Sequence, residues 1–128
     1  MNNPPIPTVI VSRPGIMQQS LRTSLATCPE IAVIASSGDG LTALCQVRQH
    51  QPGLLIIDSN LLEEEVVALI SEVKTEQPSI RCLVFIHAHH QQRQMLATGA
   101  DEVALRNGSS QQLQAALARL LASMANNR

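Results

Sequence analysis

The chain has 128 residues, of which 45% are apolar, a size and composition that suit one globular domain with one core. Only 15% of the residues are charged and the formal net charge is −1, which argues against an overall basic surface for nucleic acid. No segment approaches the roughly 18 apolar residues of a membrane helix, and the N-terminus lacks the basic start and apolar stretch of a signal peptide. We therefore expect a soluble, cytoplasmic domain.

The cysteines Cys28, Cys45 and Cys82 are an odd number without C-x-x-C spacing. Neither a disulfide framework nor a zinc site is indicated by this pattern. Because cysteine is among the most buried residue types, we expect buried or unreactive thiols.

Short β-rich runs alternate with segments in which apolar residues recur at helical spacing. The predicted strands, in chain order, cover residues 8–12, 31–36, 54–57, 82–86 and 102–105. The predicted helices that follow them end at Pro29, at Pro52, before Pro78, at Gly99 and after Leu121. Strands this apolar are buried on both faces, so the alternation predicts a parallel sheet with helices on both sides. The expected fold is an α/β three-layer, doubly wound (βα)5 sandwich with a five-stranded parallel sheet and a flavodoxin-like topology.

The predicted domain covers residues 8–123. Residues 1–7 are proline-rich and are interpreted as a flexible leader. Residues 124–128 are interpreted as a tail or the start of a linker, because the helical pattern decays there.

Three polar motifs are interpreted as helix starts. In the Gly38-Asp39-Gly40 turn, Asp39 is a predicted N-cap, since the turn lacks the lysine and the spacing of a nucleotide-binding loop. The side chains of the Glu63-Glu64-Glu65 run point about 100° apart on a helix, so they complement the helix dipole rather than converge on a metal. Ser109 and Gln112 form an S-x-x-Q capping box before the last helix.

The histidines His87, His89 and His90 follow the fourth predicted strand. A zinc site needs about four ligands, with nearby Cys or Asp partners that this segment does not supply. We interpret the segment as a solvated polar loop and predict no metal site.

Asp58 follows the buried run of residues 54–57, and it is the acid placed where open α/β sheets bind ligands. Three segments of the chain, in the order and at the separations found in that family, resemble the receiver domains of bacterial two-component response regulators, in particular those that precede a helix-turn-helix output domain. The segments are residues 28–40, residues 52–58 and residues 98–102. The resemblance extends from Val9 to about Leu121. It implies the fold of the chemotaxis regulator and an aspartate, at the position of Asp58, that accepts a phosphoryl group from a histidine kinase.

Phosphoryl transfer to a carboxylate requires a divalent cation and fixed positive groups, and magnesium prefers carboxylate oxygens. The resemblance implies an acidic pair after the first strand, where this chain has Ser12 and Arg13. The other functional positions of the family differ as well. His87 stands in place of the small hydroxyl residue, Val103 in place of the switch aromatic and Arg106 in place of the lysine. Leu62 stands where the family usually has a proline after the phospho-acceptor. We therefore expect magnesium binding to be weak or absent and no cofactor to be required.

The strand ends are expected to bring Asp58, Arg13, His87 and Arg106 together. Arg13 then occupies the place of the metal and holds an ionised Asp58 in a salt bridge. This predicts a degenerate receiver, or pseudo-receiver: a protein-protein interaction module of a phosphorelay pathway and not an enzyme.

Three alternatives stay open at this point. One is a phosphorylatable receiver that accepts a phosphoryl group on Asp58 from a histidine kinase. Another is an anion site formed by Arg13, Arg106 and a protonated His87. The last is a flavodoxin-like cofactor binder, which the near absence of aromatic residues disfavours.

The expected partner is a protein, either a histidine kinase or an output domain, with no direct binding of nucleic acid or membrane. A homodimer through the last helices and the fifth strand is a further expectation, because the Ala-rich segment of residues 111–124 permits close helix approach. The apolar stripe of that helix is nevertheless interpreted as core.

Overall fold

The computed structural model describes residues 4–106 and 110–126. Its strands are β1 (Ile6–Val11), β2 (Ile31–Ser37), β3 (Leu54–Ile57), β4 (Arg81–Ile86) and β5 (Glu102–Leu105). Its helices are α1 (Ile16–Ala26), α2 (Gly40–His50), α3 (Glu63–Glu76), α4 (Gln92–Thr98) and α5 (Ser110–Asn126), and a short 3₁₀ helix (His89–Gln91) precedes α4.

The strands form one sheet in the order β2-β1-β3-β4-β5, and every neighbouring pair is parallel. Two apolar clusters cover its faces. Alternate residues such as Val9 and Leu55 pack with α2, α3 and α4, whereas Ile10 and Ile56 pack with α1 and α5. The predicted three-layer α/β sandwich with five parallel strands is therefore confirmed.

Helices cover both faces of the strand β3, and all four of its aliphatic side chains are fully buried. It lies between β1 and β4, so its carboxyl end opens into the middle of the sheet edge. The backbone N–H of Asp58 donates to the carbonyl of Val11 at 2.8 Å, which extends the β1–β3 pairing by one residue. This pairing fixes Asp58 at the centre of the carboxyl edge.

The start of α2 agrees with the prediction. The Oδ1 atom of Asp39 accepts a 2.7 Å hydrogen bond from the N–H of Thr42, as an N-cap does. The bonds from Thr42 lower the pKa of the Asp39 carboxyl below its usual value. Ser109, the first residue of the predicted capping box of α5, lies outside the described residues.

Two boundaries of the predicted domain differ from the structure. The strand β1 begins at Ile6, inside the predicted leader, because Ile6 donates to the carbonyl of Glu30 at 2.9 Å and packs against the core. Pro7 is tolerated near the start of this strand, as prolines in sheets commonly are. At the other end α5 continues to Asn126, and Met124 packs against the core rather than belonging to a tail.

The three cysteines are free thiols, and Cys28 and Cys82 are buried as expected, whereas Cys45 is exposed. Burial raises the pKa of the Cys82 thiol to about 12. Within the described part of the chain, no helix has both the length and the hydropathy of a membrane span.

Candidate functional site

The carboxyl edge of the sheet brings together three of the predicted site residues. Ser12 follows β1, Asp58 follows β3 and Arg106 follows β5. Because the strands are parallel, all three residues leave the sheet on the same side. The side chains of Ser12 and Asp58 are fully buried, and that of Arg106 is 17% exposed.

Both oxygens of the Asp58 carboxylate accept hydrogen bonds from neighbouring residues. Its Oδ1 atom accepts a hydrogen bond of 2.7 Å from the backbone N–H of Ser59. Its Oδ2 atom accepts one of 3.0 Å from the hydroxyl of Ser12. Each oxygen therefore has a donor from the chain itself, and none of the Asp58 surface reaches solvent.

Arg106 supplies the positive charge beside this carboxylate. Its Nε atom lies 3.8 Å from Oδ1 of Asp58, which is an ion-pair distance rather than a hydrogen bond. The guanidinium carbon lies 5.3 Å from the centre of the Phe85 ring, within range of a cation–π contact. The backbone N–H of Arg106 also donates to the carbonyl of Ile86 at 2.8 Å. The backbone, the ring and the carboxylate together fix the position of Arg106.

Asn60 links the loop after β3 to the loop after β1. Its Oδ1 atom accepts a 3.1 Å hydrogen bond from the N–H of Arg13, and its Nδ2 atom donates to the hydroxyl of Ser12 at 3.2 Å. Gln18 of α1 donates from Nε2 to the carbonyl of Ser12 at 2.7 Å. The hydroxyl of Ser12 is thus both held by Asn60 and directed at Asp58.

The predicted salt bridge between Arg13 and Asp58 is wrong. Within residues 4–106 and 110–126, the cation paired with Asp58 is Arg106, and the Arg13 side chain is exposed. The physical reason is the direction of successive side chains. Ser12 continues the β1–β2 ladder by donating to the carbonyl of Ser37 at 2.9 Å, and its side chain points at Asp58. The next residue of an extended chain points the opposite way.

His87 is likewise not part of the cluster around Asp58. It follows β4 at the same edge, but its side chain is exposed and makes no hydrogen bond or ion pair with Asp58. Its backbone N–H and that of Ala88 both donate to Oε1 of Gln91, at 2.9 Å and 3.2 Å. Gln91 in turn donates to Oε2 of Glu63 at 3.0 Å and so ties the loop after β4 to the start of α3. The expected convergence of Arg13 and His87 with Arg106 is therefore absent, and the anion-site alternative loses its geometric basis.

The remaining positions singled out from the sequence lie in the core or at the start of α3. Val103 is 8% exposed and belongs to the core cluster beneath α2, α3 and α4. Leu62 is the N-cap residue of α3 and is 59% exposed. The Glu63-Glu64-Glu65 run lies in the first turn of α3, as predicted from the helix dipole.

Sequence reasoning missed Ser59, Asn60 and Gln91. Ser59 is 4% exposed, and its hydroxyl oxygen is buried without a hydrogen-bond partner in the structure. Asn60 and Gln91 act through side-chain bonds to loop backbone, a role for which single-sequence patterns give no signal. The polar Ser59-Asn60 pair directly after Asp58 is the one feature that marks this loop.

The residues at this edge do not fit magnesium, the ion that the resemblance implies. A magnesium ion takes near-octahedral oxygen ligands, usually with one or two carboxylates and several waters. Here the carboxylate of Asp58 is occupied by donors from Ser12 and Ser59, and the guanidinium of Arg106 lies beside it. Among residues 4–106 and 110–126, no second carboxylate joins Asp58, since the two residues after β1 are Ser12 and Arg13.

No family model matches the sequence. Curated relatives match part of it, and they are named protein-glutamate methylesterase/protein-glutamine glutaminase 2. The one from Nitratidesulfovibrio vulgaris is 30% identical over 73 residues, which is 57% of this chain and 20% of the relative. The one from Xanthomonas axonopodis pv. citri is 27% identical over 71 residues, again 20% of the relative. The matches thus span about a fifth of the length of these curated relatives.

Solved structures match nearly the whole chain. A two-component response regulator of the LuxR family from Aurantimonas sp. SI85-9A1 has a TM-score of 0.83 at 18% identity, over 93% of this chain and 86% of that one. The signal receiver domain of the response regulator NarL from Mycobacterium tuberculosis has a TM-score of 0.80 at 16% identity, over 98% and 100%. The isolated REC domain of RcsB from Salmonella enterica serovar Typhimurium has a TM-score of 0.80 at 20% identity, over 91% and 88%. The chain therefore has the fold of response-regulator receiver domains, which confirms the fold that the resemblance implies.

Proposed function

We propose that this domain is a pseudo-receiver, a signalling module of a two-component-type pathway that acts through protein contacts and without magnesium-dependent phosphorylation of Asp58. In this role it is not an enzyme and requires no cofactor. Its expected location is the cytoplasm, where its protein partner is a histidine kinase or an output domain.

The observation that carries this proposal is the enclosure of Asp58. A phospho-acceptor must present a free carboxylate oxygen to the phosphoryl donor, in line with the leaving group. Both oxygens of Asp58 instead accept hydrogen bonds from Ser12 and Ser59, and the side chain has no exposed surface. The cation that neutralises it is Arg106, so a metal ion is not needed to balance its charge.

Incubation with acetyl phosphate and magnesium, followed by Phos-tag electrophoresis and intact-mass spectrometry, tests the proposal. We expect no phosphoryl adduct on the wild-type chain. The matched control is Asp58→Asn, which removes the acceptor oxygen and keeps the shape of the side chain. A stable, stoichiometric adduct on the wild type that is absent from Asp58→Asn would establish the alternative, a phosphorylatable receiver.

A homodimer through α4, β5 and α5 is a second part of the proposal. The apolar stripe of α5 faces the core, with Leu113, Ala116, Leu117 and Leu120 buried, so the small residues of this helix mainly serve packing. Beside it, Val103 and Leu105 of β5 and Ala115 of α5 line a shallow groove of about 230 Å³. Size-exclusion chromatography with light scattering measures whether the chain self-associates, and Ala115→Glu is the variant expected to weaken such a dimer.

A further inference from the structure

An apolar groove of about 420 Å³ runs between α2 and α3. Its apolar lining consists of Leu41 and Leu44 from α2 and of Ala68 and Leu69 from α3, and its polar lining includes Glu65 and Glu72. Leu41 is 81% exposed, which is a large apolar surface to leave in water. We call this feature the α2–α3 groove.

The lining residues repeat at helical spacing on both walls. Leu41 and Leu44 are three residues apart on α2, and Glu65, Leu69 and Glu72 are four and three residues apart on α3. Residues at these spacings share one face of a helix. The groove is therefore bounded along its length by two continuous helix faces, a shape that accepts an elongated segment.

Polar contacts hold the two walls in place at both ends of the groove. At one end, Oε2 of Glu65 accepts a 2.7 Å hydrogen bond from the N–H of Gly40, the first residue of α2. A methyl group added to Gly40 would lie 3.0 Å from Cγ of Glu65, so the helices approach closely there. At the other end, Arg48 pairs with Glu76 at 2.6 Å and with Glu72 at 3.8 Å. Because both ends are fixed, the groove is preformed and binding does not require its walls to be ordered.

The charge around the groove is negative. The two helices that form its walls, α2 and α3, carry five glutamates, one lysine and one arginine, a formal charge of −3 with His50 neutral, in a chain whose total is −1. The charged residues that line the groove itself, Glu65 and Glu72, are both acidic. Complementary charge favours a partner with basic side chains and disfavours nucleic acid and anionic lipid.

We propose that the α2–α3 groove binds a basic amphipathic segment of a partner protein, with aliphatic side chains over Leu41, Leu44 and Ala68 and with Lys or Arg side chains along the acidic rim. This inference rests on the proposed function only in that the domain acts through a protein partner. It does not depend on the state of Asp58.

A fluorescein-labelled Leu/Lys peptide of about 14 residues, with leucines at helical spacing, serves as the probe. Its control is a Leu/Glu peptide with the same leucine pattern. Fluorescence anisotropy of the full chain measures binding, and amide chemical shifts map its location. We expect the Leu/Lys peptide to bind with a Kd below about 1 mM. Its binding should weaken as NaCl rises from about 50 mM to about 500 mM, and it should change the amide chemical shifts of α2 and α3.

Two groove variants and one matched control make the test specific. Leu41→Gln removes the most exposed large apolar side chain of the groove, and Ala68→Arg places in it a charge of the same sign as the peptide, so each should weaken binding about tenfold or more. Ile16→Gln is the control, because Ile16 is 85% exposed but lies on α1, which packs on the other face of the sheet. Its effect should be less than about twofold. Circular dichroism of each variant verifies that the fold is retained.

The absence of binding at about 1 mM peptide would overturn the proposal, as would equal binding of the Leu/Glu peptide or equal weakening by Ile16→Gln. Self-association that Leu41→Gln abolishes would also overturn it, since the occupant would then be a second copy. The phosphorylation assay gives an independent result. An adduct on Asp58 with normal peptide binding would refute the pseudo-receiver and support the groove. The absence of both an adduct and peptide binding would support the pseudo-receiver and refute the groove.

Discussion

Arg106, the residue after β5, places its Nε atom 3.8 Å from Oδ1 of Asp58, the residue after β3. The strand β4 lies between these two strands, so the side chain of Arg106 crosses the end of β4 and lies over the Phe85 ring. The contact thus ties together the carboxyl ends of three neighbouring strands. It also neutralises a carboxylate that is fully buried.

The first prediction concerns this ion pair. Arg106→Leu leaves the charge of Asp58 buried without its cation, and breaking a buried pair in this way costs roughly 3–5 kcal/mol. Because Arg106 keeps 17% of its side-chain exposure, we expect a value near the lower end, about 3 kcal/mol. Urea denaturation at neutral pH measures the change in the free energy of unfolding.

The double variant Arg106→Leu, Asp58→Asn removes both charges and should recover a large part of the loss. Arg93→Leu is the matched control, because Arg93 is exposed on α4 and takes part in no ion pair among the described residues. An equal loss in Arg93→Leu, or no recovery in the double variant, would show that the charge of Asp58 is not what Arg106 stabilises.

The second prediction concerns the hydroxyl of Ser12. Ser12→Ala removes the donor to Oδ2 of Asp58 and the acceptor for Nδ2 of Asn60. Leaving a buried polar group without its partner costs about 1–3 kcal/mol, and we expect a loss of unfolding free energy in that range. Ser20→Ala, on the exposed side of α1, should change stability by less than about 0.5 kcal/mol. Equal stability of the Ser12→Ala and wild-type chains would mean that water replaces the hydroxyl and that Asp58 is less enclosed than the structure indicates.

The fold was predictable because its strongest signals are local. The run of residues 54–57 is apolar at every position, and its short length after Pro52-Gly53 indicates a strand covered on both faces. The position of Asp58 then follows from where the strand ends. The same reasoning places Ser12 and Arg106 at the carboxyl edge, where the structure has them.

The sequence places both Arg13 and Arg106 at the carboxyl edge but predicts the wrong one of them as the cation paired with Asp58. Alternation along an extended chain prevents Ser12 and Arg13 from facing the same carboxylate, so one of the two had to point away. By contrast, the bridging roles of Asn60 and Gln91 depend on loop backbone conformation, which no apolar periodicity encodes. The start of β1 differs for another reason: the proline-rich composition of residues 1–7 predicts a leader, whereas β1 begins at Ile6 because Pro7 is tolerated near a strand start.

The third prediction concerns the loop after β4. Gln91→Ala removes the acceptor for the N–H groups of His87 and Ala88 and the donor to Glu63. Hydrogen exchange of these two amides, followed by NMR, should accelerate about tenfold, which corresponds to the loss of about 1.4 kcal/mol of local protection. Gln92→Ala, at the adjacent exposed position, is the control and should leave both amides unchanged. If the exchange rates in Gln91→Ala equal those of the wild type, the loop is held by its backbone alone.

The last prediction concerns acid stability and the pair that joins α2 to α3. The guanidinium of Arg48 donates from Nε to Oε1 of Glu76 at 2.9 Å and from a terminal nitrogen to Oε2 at 2.6 Å. The two hydrogen bonds from Arg48 are the main cause that lowers the pKa of Glu76 from 4.5 to about 2. A carboxyl whose pKa is lower in the folded chain contributes stability above its unfolded pKa and loses it as the pH falls. The contribution of this pair is therefore complete above about pH 4.5 and disappears as the pH approaches 2.

Urea midpoints of the wild type and of Arg48→Gln, measured from neutral pH down to pH of about 2, test this sign. We expect Arg48→Gln to be the less stable chain at neutral pH and the difference to shrink steadily as Glu76 becomes protonated. Arg93→Gln, at an exposed position of α4, controls for the general loss of one positive charge. A difference that stays constant down to the lowest pH would mean that Arg48 stabilises the α2–α3 contact through the packing of its aliphatic stem, because packing does not respond to protonation of Glu76.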